Sequence, residues 1–378
     1  MIYLDNSSTT RKKPFSVIKS MILGITKYSA NPGRGSHKYS LQANEKIIET
    51  RIKLSEYFNL PNIENVIFTS GCTESINMAL IGTARKNGHI ITTYLEHNSV
   101  LRTITHLTKS HGITYTLIKP DSHGNINPHD IEAAINDKTY MIVINHTSNV
   151  IGSTQDITTI GSIAKKRKLI FMVDSAQSGG HEKIDMMADN INLLCGTAHK
   201  GFYGPQGVGF LLINNVRVSP IKFGGTGTNS YSIIQPTDYP DSLESGTGPN
   251  PNILGLYSGI SFVEKRADRI KRKINSLSNI LLDYLSHKEE IVLYSSNPNS
   301  GVIAFNVKGV DSSTIVNILN DKYKICVRGG LQCAPKVHEF LGTITPGVVR
   351  ISLSYYNKLS EIKKFIKSME SMLNKGKY

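Results

Sequence analysis

Short apolar runs rich in β-branched residues alternate with helical patterns between about residues 63 and 215. This alternation is typical of βαβ units, whose strands join a parallel sheet. Several runs are apolar almost throughout, as expected of strands that helices cover on both faces. Seven strands are predicted: Val66–Thr69, His89–Thr93, Ile113–Ile118, Tyr140–Asn145, Leu169–Val173, Ile191–Cys195 and Gly207–Ile213. The chain is therefore predicted to be α/β, with a large, open and mostly parallel seven-stranded sheet.

The segments between these strands have helical spacing, and Asp156 is a plausible N-cap for one of them. The predicted helices are Thr73–Arg85, Ser99–Ser110, Asp130–Ile135 and Asp156–Lys168. Residues 216–252 are rich in Gly, Ser, Thr, Asn and Pro, which allows a linker but favours active-site loops on a rigid scaffold.

The C-terminal part has a different pattern. It shows long helical patterns over about Ile253–Ser286, shorter strands near Gly301–Val307 and Ile325–Arg328, and a last helix at Leu359–Leu373. We predict a large domain over residues 15–254, and a smaller α/β domain formed by residues 1–14 and 255–378.

Composition narrows the class of protein. The 43 Lys and Arg against 29 Asp and Glu give a formal charge of +14, with clusters at residues 11–13, 165–168 and 265–273. Solvated helix surfaces are the favoured explanation, with an acidic protein or anionic substrate as the alternative. No aromatic-rich basic motif accompanies the charge, so nucleic acid is not expected as a partner.

Membrane, secretory and metal classes are disfavoured. No stretch of 18 apolar residues and no signal-like opening segment occur, so no membrane association is predicted and a cytoplasmic protein is expected. The four cysteines include no CxxC pair, which argues against a disulfide scaffold and a metal site.

Three features indicate the chemistry. The turn at residues 69–75 runs from a strand through Gly71 into a helix, whose free N–H groups form a binding site for an anion, here called the anion seat. The turn is not a P-loop, because no GxxxxGK(S/T) motif is present. Asp174 follows an apolar strand, where ligands bind in open sheets. Lys200 lies among small residues after the next strand, as a Schiff-base lysine would. Together they are the three fixtures that pyridoxal phosphate requires.

The sequence resembles a known family, the cysteine desulfurases of the class V aminotransferase superfamily. The matching blocks occur in family order along nearly the whole chain: Tyr3–Thr10, Thr69–Ser75, Glu96–Ser99, Thr147–Gly152, Val173–Gln177, His199–Lys200, Arg328–Pro335 and Val349–Ser352. The resemblance implies a fold-type I, pyridoxal-phosphate-dependent transferase.

The resemblance also implies roles for individual residues. Lys200 matches the lysine that carries the cofactor and moves protons, Asp174 the partner of the ring nitrogen, and His97 the imidazole stacked on the ring. Asn149 and Gln177 match donors near the phenolic oxygen. The phosphate positions are matched by Cys72, Thr73, Thr197 and His199, with Thr247 reaching from the other subunit of an obligate homodimer with shared active sites.

The cysteine loop decides between related chemistries. Cys333 lies in a Gly-rich loop and is predicted to be the nucleophile, whereas Cys195 and Cys326 lie in apolar strands and are expected to be buried. Arg350 matches the clamp for the substrate α-carboxylate. Weaker candidates for the same pocket are Asn31, His37 and Arg328.

These roles predict conversion of L-cysteine to L-alanine, with a persulfide on Cys333 that passes to an acceptor protein or small thiol. A predicted helix at Val337–Leu341 leaves a short cysteine loop, resembling the short-loop group of the family. Gln332 departs from the histidine that relatives often carry there. Selenocysteine lyase, or another class V enzyme in which Cys333 is not essential, stays open as the alternative, and so does the acceptor pathway.

Overall fold

A computed structural model describes residues 1–33, 35–228, 230–297 and 299–374. Asn229 of the predicted active-site loops and the last four residues of the predicted small domain lie outside this description. The strands are β1 Ile2–Tyr3, β2 Val66–Thr69, β3 His89–Thr93, β4 Thr114–Ile118, β5 Thr139–Asn145, β6 Ile170–Asp174, β7 Leu193–Thr197, β8 Gly209–Ile213, β9 Ile291–Leu293, β10 Val302–Val307, β11 Ile325–Cys326 and β12 Val349–Ser352. The helices are α1 Phe15–Thr26, α2 Lys38–Phe58, α3 Cys72–Gly82, α4 Asn98–His111, α5 Pro128–Ala133, α6 Ile157–Lys166, α7 Asn250–Glu264, α8 Ala267–Ser286, α9 Ser312–Asp321, α10 Pro335–Leu341 and α11 Leu359–Leu373.

The large sheet has seven strands in the order β2-β8-β7-β6-β5-β3-β4. Strand β8 runs antiparallel to both of its neighbours, and the other pairs are parallel. The predicted α/β class and the seven predicted strands are thus confirmed, with boundaries shifted by at most two residues. Because the parallel strands end at the same edge, the loops after β5, β6 and β7 meet there.

Helices cover both faces of this sheet, and apolar side chains fill the two layers. Every residue of β5, β6, β7 and β8 is buried, which explains their continuous apolar pattern. Asp156 caps α6 as predicted, because its side chain accepts a hydrogen bond from the Thr159 N–H at 3.0 Å.

Two smaller sheets lie in the rest of the chain. Strands β12, β10 and β9 form an antiparallel sheet, and β1 pairs in parallel with β11. An isolated bridge joins Arg328 to Arg350 beside them. The N-terminal segment and the C-terminal helices share one apolar core, which includes Leu4, Phe305 and Phe365.

The structure corrects part of the C-terminal prediction. The helical patterns predicted over Ile253–Ser286 form two helices, α7 and α8, which are separated at Lys265 and Arg266, a boundary that was not predicted. Helix α7 is buried on most sides and packs against α1 and α2, whereas α8 buries one stripe against the small-sheet core. The two helices therefore follow different surfaces. The strand predicted at Ile325–Arg328 ends at Cys326.

Other findings lie outside the predicted elements. Helices α1 and α2 were not predicted, and α7 crosses the predicted domain boundary after residue 254. The domain division stays a prediction. None of the described helices is long and apolar enough to cross a membrane.

Candidate active site

A cavity of about 240 Å³ lies at the carboxyl ends of β5, β6 and β7. Its wall is completed by the turn before α3 and by the first residues of α4. The predicted cofactor residues on this wall are Cys72, Thr73, His97, Asn149, Asp174, Gln177, Thr197, His199 and Lys200. The structure therefore brings together nine of the ten residues predicted to bind the cofactor, and Thr247 is the exception.

Asp174 is the last residue of β6 and is almost fully buried. Its Oδ1 accepts hydrogen bonds from the Ala176 N–H at 2.9 Å and from the Cys72 thiol at 3.4 Å. Burial and the neighbouring carboxylate raise the pKa of Cys72, so this thiol is protonated and donates. Asp174 is thus held by its surroundings and presents a carboxylate to the cavity.

Lys200 follows β7 in a tight loop whose backbone is tied to the N-terminal segment and to Tyr203. Burial lowers the pKa of Lys200, and the nearby Asp174 carboxylate opposes that effect. A lowered pKa increases the fraction of neutral amine, which is the form that attacks a carbonyl carbon.

His97 is the N-cap of α4, and its Nδ1 accepts a hydrogen bond from the Ser99 N–H at 3.1 Å. This bond leaves the ring proton on Nε2. Burial lowers the pKa of His97, with Asp174 opposing, so the neutral ring is favoured. The imidazole lines the same cavity as Lys200 and Asp174.

The predicted anion seat is formed by the N-terminus of α3. Its N-cap is Gly71, and no side chain caps the helix. A Cβ on Gly209 of β8 would lie 2.6 Å from the Gly71 carbonyl carbon, so glycine at 209 allows the turn to pack closely on the sheet. Helix N–H groups and the positive end of the helix dipole make this end of the cavity suited to a phosphate.

Two orphaned polar atoms in this cavity test whether a cofactor would fit. The buried Nδ1 of His199 and the buried Oδ1 of Asn149 have no hydrogen-bond partner among the described residues. Burial lowers the pKa of His199 to about 4, so its ring is neutral and can donate one N–H to an anion. Buried polar groups are ordinarily paired, and unpaired ones in a cavity indicate a missing ligand. The residues present fit pyridoxal phosphate.

Asn149 and Gln177 use part of their donor capacity within the protein. The Asn149 side-chain amide donates to the Gln332 carbonyl at 2.7 Å, and that of Gln177 donates to the Ser7 carbonyl at 3.1 Å. Each amide has a second N–H. Their predicted role beside a phenolic oxygen therefore depends on that second donor.

Arg350 is buried and lies beside the cavity wall. Its Nη1 donates to the Asn149 carbonyl at 2.8 Å, and its Nη2 to Asp5 Oδ1 at 2.7 Å and Ser8 Oγ at 2.9 Å. The Nε atom is buried without a partner in the described structure. Arg328 donates to the same Ser8 hydroxyl at 2.8 Å. Neither arginine lines the Lys200 cavity or the Cys333 groove, and Arg350 reaches the cavity wall only through its bond to Asn149. A guanidinium with an unpaired donor is chemically suited to a substrate carboxylate.

Cys333 is exposed and lines a neighbouring groove of about 410 Å³. Thr73, His97 and Ser99 line both the groove and the Lys200 cavity, so the two spaces are adjacent. The helix after the loop begins at Pro335, which leaves one residue between it and Cys333. The loop is short, as predicted.

Several predicted positions lie elsewhere or differ from expectation. His37 is exposed and caps α2, and the Asn31 amide donates to the Thr247 hydroxyl at 3.3 Å; none of these three residues lines the Lys200 cavity. No described residue of 216–252 lines that cavity. Cys195 is buried as expected, but Cys326 is half-buried because β11 is a short strand at the surface of the small core.

Comparison with known proteins places this geometry in a family. A family model described as aminotransferase class-V matches residues 2–365. A probable cysteine desulfurase of Pyrococcus abyssi is 32% identical, over 99% of this chain and 94% of the relative. The cysteine desulfurase IscS of Pseudomonas putida is 31% identical, over 88% of this chain and 80% of the relative. The apo structure of the cysteine desulfurase from Thermococcus onnurineus NA1 has a TM-score of 0.92 at 31% identity, covering 99% of this chain and 94% of that one.

The chain belongs to the cysteine desulfurases of the aminotransferase class-V family. The predicted resemblance and fold class are confirmed. These relatives favour a desulfurase over the selenocysteine lyase and other class V alternatives. The roles of individual site residues in this desulfurase stay predictions.

Residues with no predicted role also support the site. Asp5 and Ser8 hold the two arginines, although both lie in the N-terminal block that carried the resemblance. Glu96 is fully buried beside His97, and its Oε1 accepts from the Thr93 hydroxyl at 2.8 Å and from the Asn145 N–H at 3.0 Å. It thereby ties the end of β3 to the end of β5. In the sequence, the position of Glu96 directly before His97 is the feature that could have indicated this role.

Glu96 predicts a specific pH dependence of stability. Burial raises the pKa of its carboxyl from 4.5 to about 8. The folded state therefore binds more protons than the unfolded state between these values, and its stability falls as pH rises. For Glu96→Gln this loss is absent, so the wild type should lose up to about 1.4 kcal/mol per pH unit relative to the variant.

The measurement is urea unfolding of cofactor-free protein from pH 5 to pH 8.5. Glu289→Gln on the surface is the matched control, since it also removes one carboxyl. A constant difference between wild type and Glu96→Gln across this range would contradict the assignment of a buried, protonated Glu96.

Proposed function

We propose that this chain is a pyridoxal-phosphate-dependent cysteine desulfurase that converts L-cysteine to L-alanine and leaves a persulfide on Cys333. The observation that carries the proposal is that the Lys200 cavity and the Cys333 groove share Thr73, His97 and Ser99 in their walls. An exposed thiol thus lies in a groove next to the cavity that is lined by a lysine, a carboxylate and an anion seat.

The cofactor is held by chemically distinct parts of the cavity. The α3 N-terminus with Cys72 and Thr73, together with Thr197 and His199, would hold the phosphate. Asp174 would pair with the protonated ring nitrogen, His97 would pack against the cofactor ring, and the second amide protons of Asn149 and Gln177 would be available to the phenolic oxygen. Lys200 would be the point of covalent attachment.

When bound, pyridoxal phosphate withdraws electrons from the α-carbon of an attached amino acid. Lys200 would be the base that removes the Cα proton and holds it for return later in the reaction. Asp174 keeps the ring nitrogen charged, because a buried carboxylate favours the protonated form of a neighbouring base. Arg350, through its unpaired Nε, binds the substrate carboxylate.

The sulfur step is assigned to Cys333. Its thiolate attacks the substrate sulfur, an S–S bond forms, and the C–S bond breaks with its electron pair left on the substrate carbon. Protonation of that carbon gives alanine, and the enzyme keeps the sulfur as a persulfide. No keto acid is consumed, which separates this reaction from transamination.

The exposed groove beside Cys333 suits delivery of sulfur to an acceptor protein or small thiol. The loop is too short to carry the persulfide far, so the acceptor must come to the groove. Iron–sulfur cluster assembly and tRNA thiolation are both compatible destinations. We place the activity in the cytoplasm, where reducing conditions keep catalytic thiols free.

The proposal is tested with protein loaded with pyridoxal phosphate and given L-cysteine and dithiothreitol. Alanine and sulfide should form in equal amounts. Release of pyruvate in place of alanine, or keto-acid-dependent loss of the cofactor aldehyde, would show a different class V reaction.

We further propose a homodimer with shared sites. One face of α1 exposes Phe15, Ile18, Ile22 and Ile25, with the Phe15 side chain 78% and Ile25 62% exposed. Exposed apolar surfaces of this kind mark interaction sites. Ile48 of α2 is also exposed and borders a second cavity, whose wall includes Asn31, Gly246 and Gly248. A second copy bound over this cavity would lie near the loop that carries Thr247.

Sharing predicts an asymmetric pattern in mixed dimers. A Thr247→Asp side chain repels the phosphate and should weaken cofactor binding by about ten-fold or more. If Thr247 acts on the partner's site, a dimer of one Lys200→Ala chain and one Thr247→Asp chain keeps one intact site. Its specific activity should be about half that of wild type.

The matched control places both substitutions on one chain and pairs it with wild type. This dimer should have no intact site. Lys200→Ala disables the cavity of the substituted chain, and Thr247→Asp disables the cavity of the wild-type chain. Thr237→Asp, an exposed loop position, controls for charge alone. If the control dimer is the more active of the two, Thr247 acts within its own subunit and the shared site is refuted.

A further inference from the structure

The backbone of the cysteine loop has an unusual conformation. Gln332 and Cys333 have φ angles of 41° and 60°, so two successive residues with side chains lie in the left-handed region. Residues other than glycine are strained in this region and stay there only when surrounding contacts hold them. The contacts that hold this loop conformation therefore also set the position of Cys333, which lines the groove.

Backbone hydrogen bonds account for part of this restraint. The Gln332 carbonyl accepts from the Asn149 side-chain amide at 2.7 Å, and the Cys333 carbonyl accepts from the Asn98 N–H at 2.7 Å. The Ala334 N–H donates to the Leu331 carbonyl at 2.9 Å. The first two bonds attach the loop to Asn149 and to the first turn of α4, and the third closes a turn within the loop.

The side chain of Gln332 supplies a separate restraint from the opposite direction. It is 4% exposed and lines neither the Lys200 cavity nor the Cys333 groove. Its Nε2 donates to the Val348 carbonyl at 3.0 Å, and its Oε1 lies 3.2 Å from His338 Nε2. Gln332 thus faces the protein interior, while the next residue faces the groove.

His338 extends this connection into the core. Its ring is fully buried, and its Nδ1 lies 2.9 Å from the Thr343 hydroxyl. Burial lowers the pKa of His338, so the ring is neutral. In one arrangement of these bonds, the Thr343 hydroxyl donates to Nδ1, Nε2–H donates to Gln332 Oε1, and the Gln332 amide donates to the Val348 carbonyl.

We infer that Gln332 is a positioning residue for Cys333, which holds the thiol toward the substrate through the buried Thr343–His338–Gln332–Val348 chain. This inference rests on the proposed role of Cys333 as the nucleophile. The position of Gln332 beside Cys333 suggests proton exchange with the substrate. A side chain turned into the core cannot do this, so Gln332 is assigned a positioning role instead.

The first test compares Gln332→Met with Leu331→Met in the cofactor-loaded enzyme. Methionine keeps the length of glutamine and removes its hydrogen bonds, whereas Leu331 is a partly exposed neighbour in the same loop. The kcat for alanine formation from L-cysteine should fall about 10- to 100-fold in Gln332→Met, because a nucleophile displaced by about 1 Å loses this much. KM and the Kd for L-alanine should stay within about two-fold, since the substrate pocket is unchanged.

A second variant and a second measurement show whether a loss of activity in Gln332→Met comes from a displaced loop or from misfolding of the protein. Thr343→Val removes only the hydroxyl at the far end of the chain and should lower kcat by a smaller factor. Hydrogen exchange of the Ala334 amide should be about ten-fold faster or more in Gln332→Met, and unchanged in Leu331→Met.

The outcomes separate this inference from the proposed function. If Cys333→Ala remains fully active, the proposed function fails, while the exchange measurement still reports whether Gln332 restrains the loop. If Gln332→Met changes neither the exchange of Ala334 nor kcat, or speeds exchange with kcat intact, the positioning role is overturned.

Discussion

Replacement of Cys333 by alanine is expected to lower alanine formation from L-cysteine by about three orders of magnitude or more, because loss of a covalent nucleophile removes the reaction path. The cofactor should still bind, since Cys333 lines the groove and not the wall of the Lys200 cavity. The measurement pairs single-turnover alanine formation with the visible absorbance of the loaded protein.

Cys326→Ala is the matched control for this experiment. It also removes one thiol from the small-sheet region, but Cys326 lies in β11 and borders neither cavity. The control should keep wild-type activity. Equal activity of Cys333→Ala and wild type would contradict the nucleophilic role and favour a lyase that releases sulfur without a protein thiol.

Lys200→Ala is expected to have a comparably large effect through a different step. Without Lys200 the substrate Cα proton has no base, and the rate should fall by about three orders of magnitude or more. Covalent attachment should also be lost. After borohydride reduction, mass spectrometry should find pyridoxal phosphate on the peptide with Lys200 in wild type and none in the variant.

Lys183→Ala, an exposed lysine in the same half of the chain, controls for the loss of one positive charge. It should leave both attachment and activity unchanged. If reduced wild-type protein carries the cofactor on a lysine other than Lys200, the assignment of the cavity is wrong.

The main sheet and the cofactor residues could be predicted because their signals are local. An apolar strand that ends in Asp174 and a tight loop with Lys200 each show in a few residues, and the rule that parallel strands end at one edge joins them. The Asp156 cap is equally local, since the acceptor and donor are three residues apart.

The rest of the site depends on contacts that no local pattern reveals. Arg350 meets Asp5 across 345 positions, and Glu96 binds the Asn145 amide across 49. From the sequence, Gln332 is a polar loop residue beside the nucleophile. Its contacts with His338 and Val348 show that it faces the core.

The division between α7 and α8 has the same kind of cause. Helical patterns extend over residues 253–286, but no Gly or Pro between Val263 and Ile270 marks where one helix ends and the next begins. The break at Lys265 and Arg266 follows from packing, because α7 lies on α1 and α2 while α8 covers the smaller sheet. Tertiary contacts, and not local preference, set that boundary.

The central claim is that sulfur from L-cysteine passes to Cys333. The most direct measurement is intact and peptide mass spectrometry of the cofactor-loaded enzyme after one turnover with L-cysteine and no added thiol. We predict a mass increase of one sulfur atom on the peptide that contains Cys333, removed by dithiothreitol and absent from Cys333→Ala. Stoichiometric alanine without added sulfur on Cys333 would contradict the account.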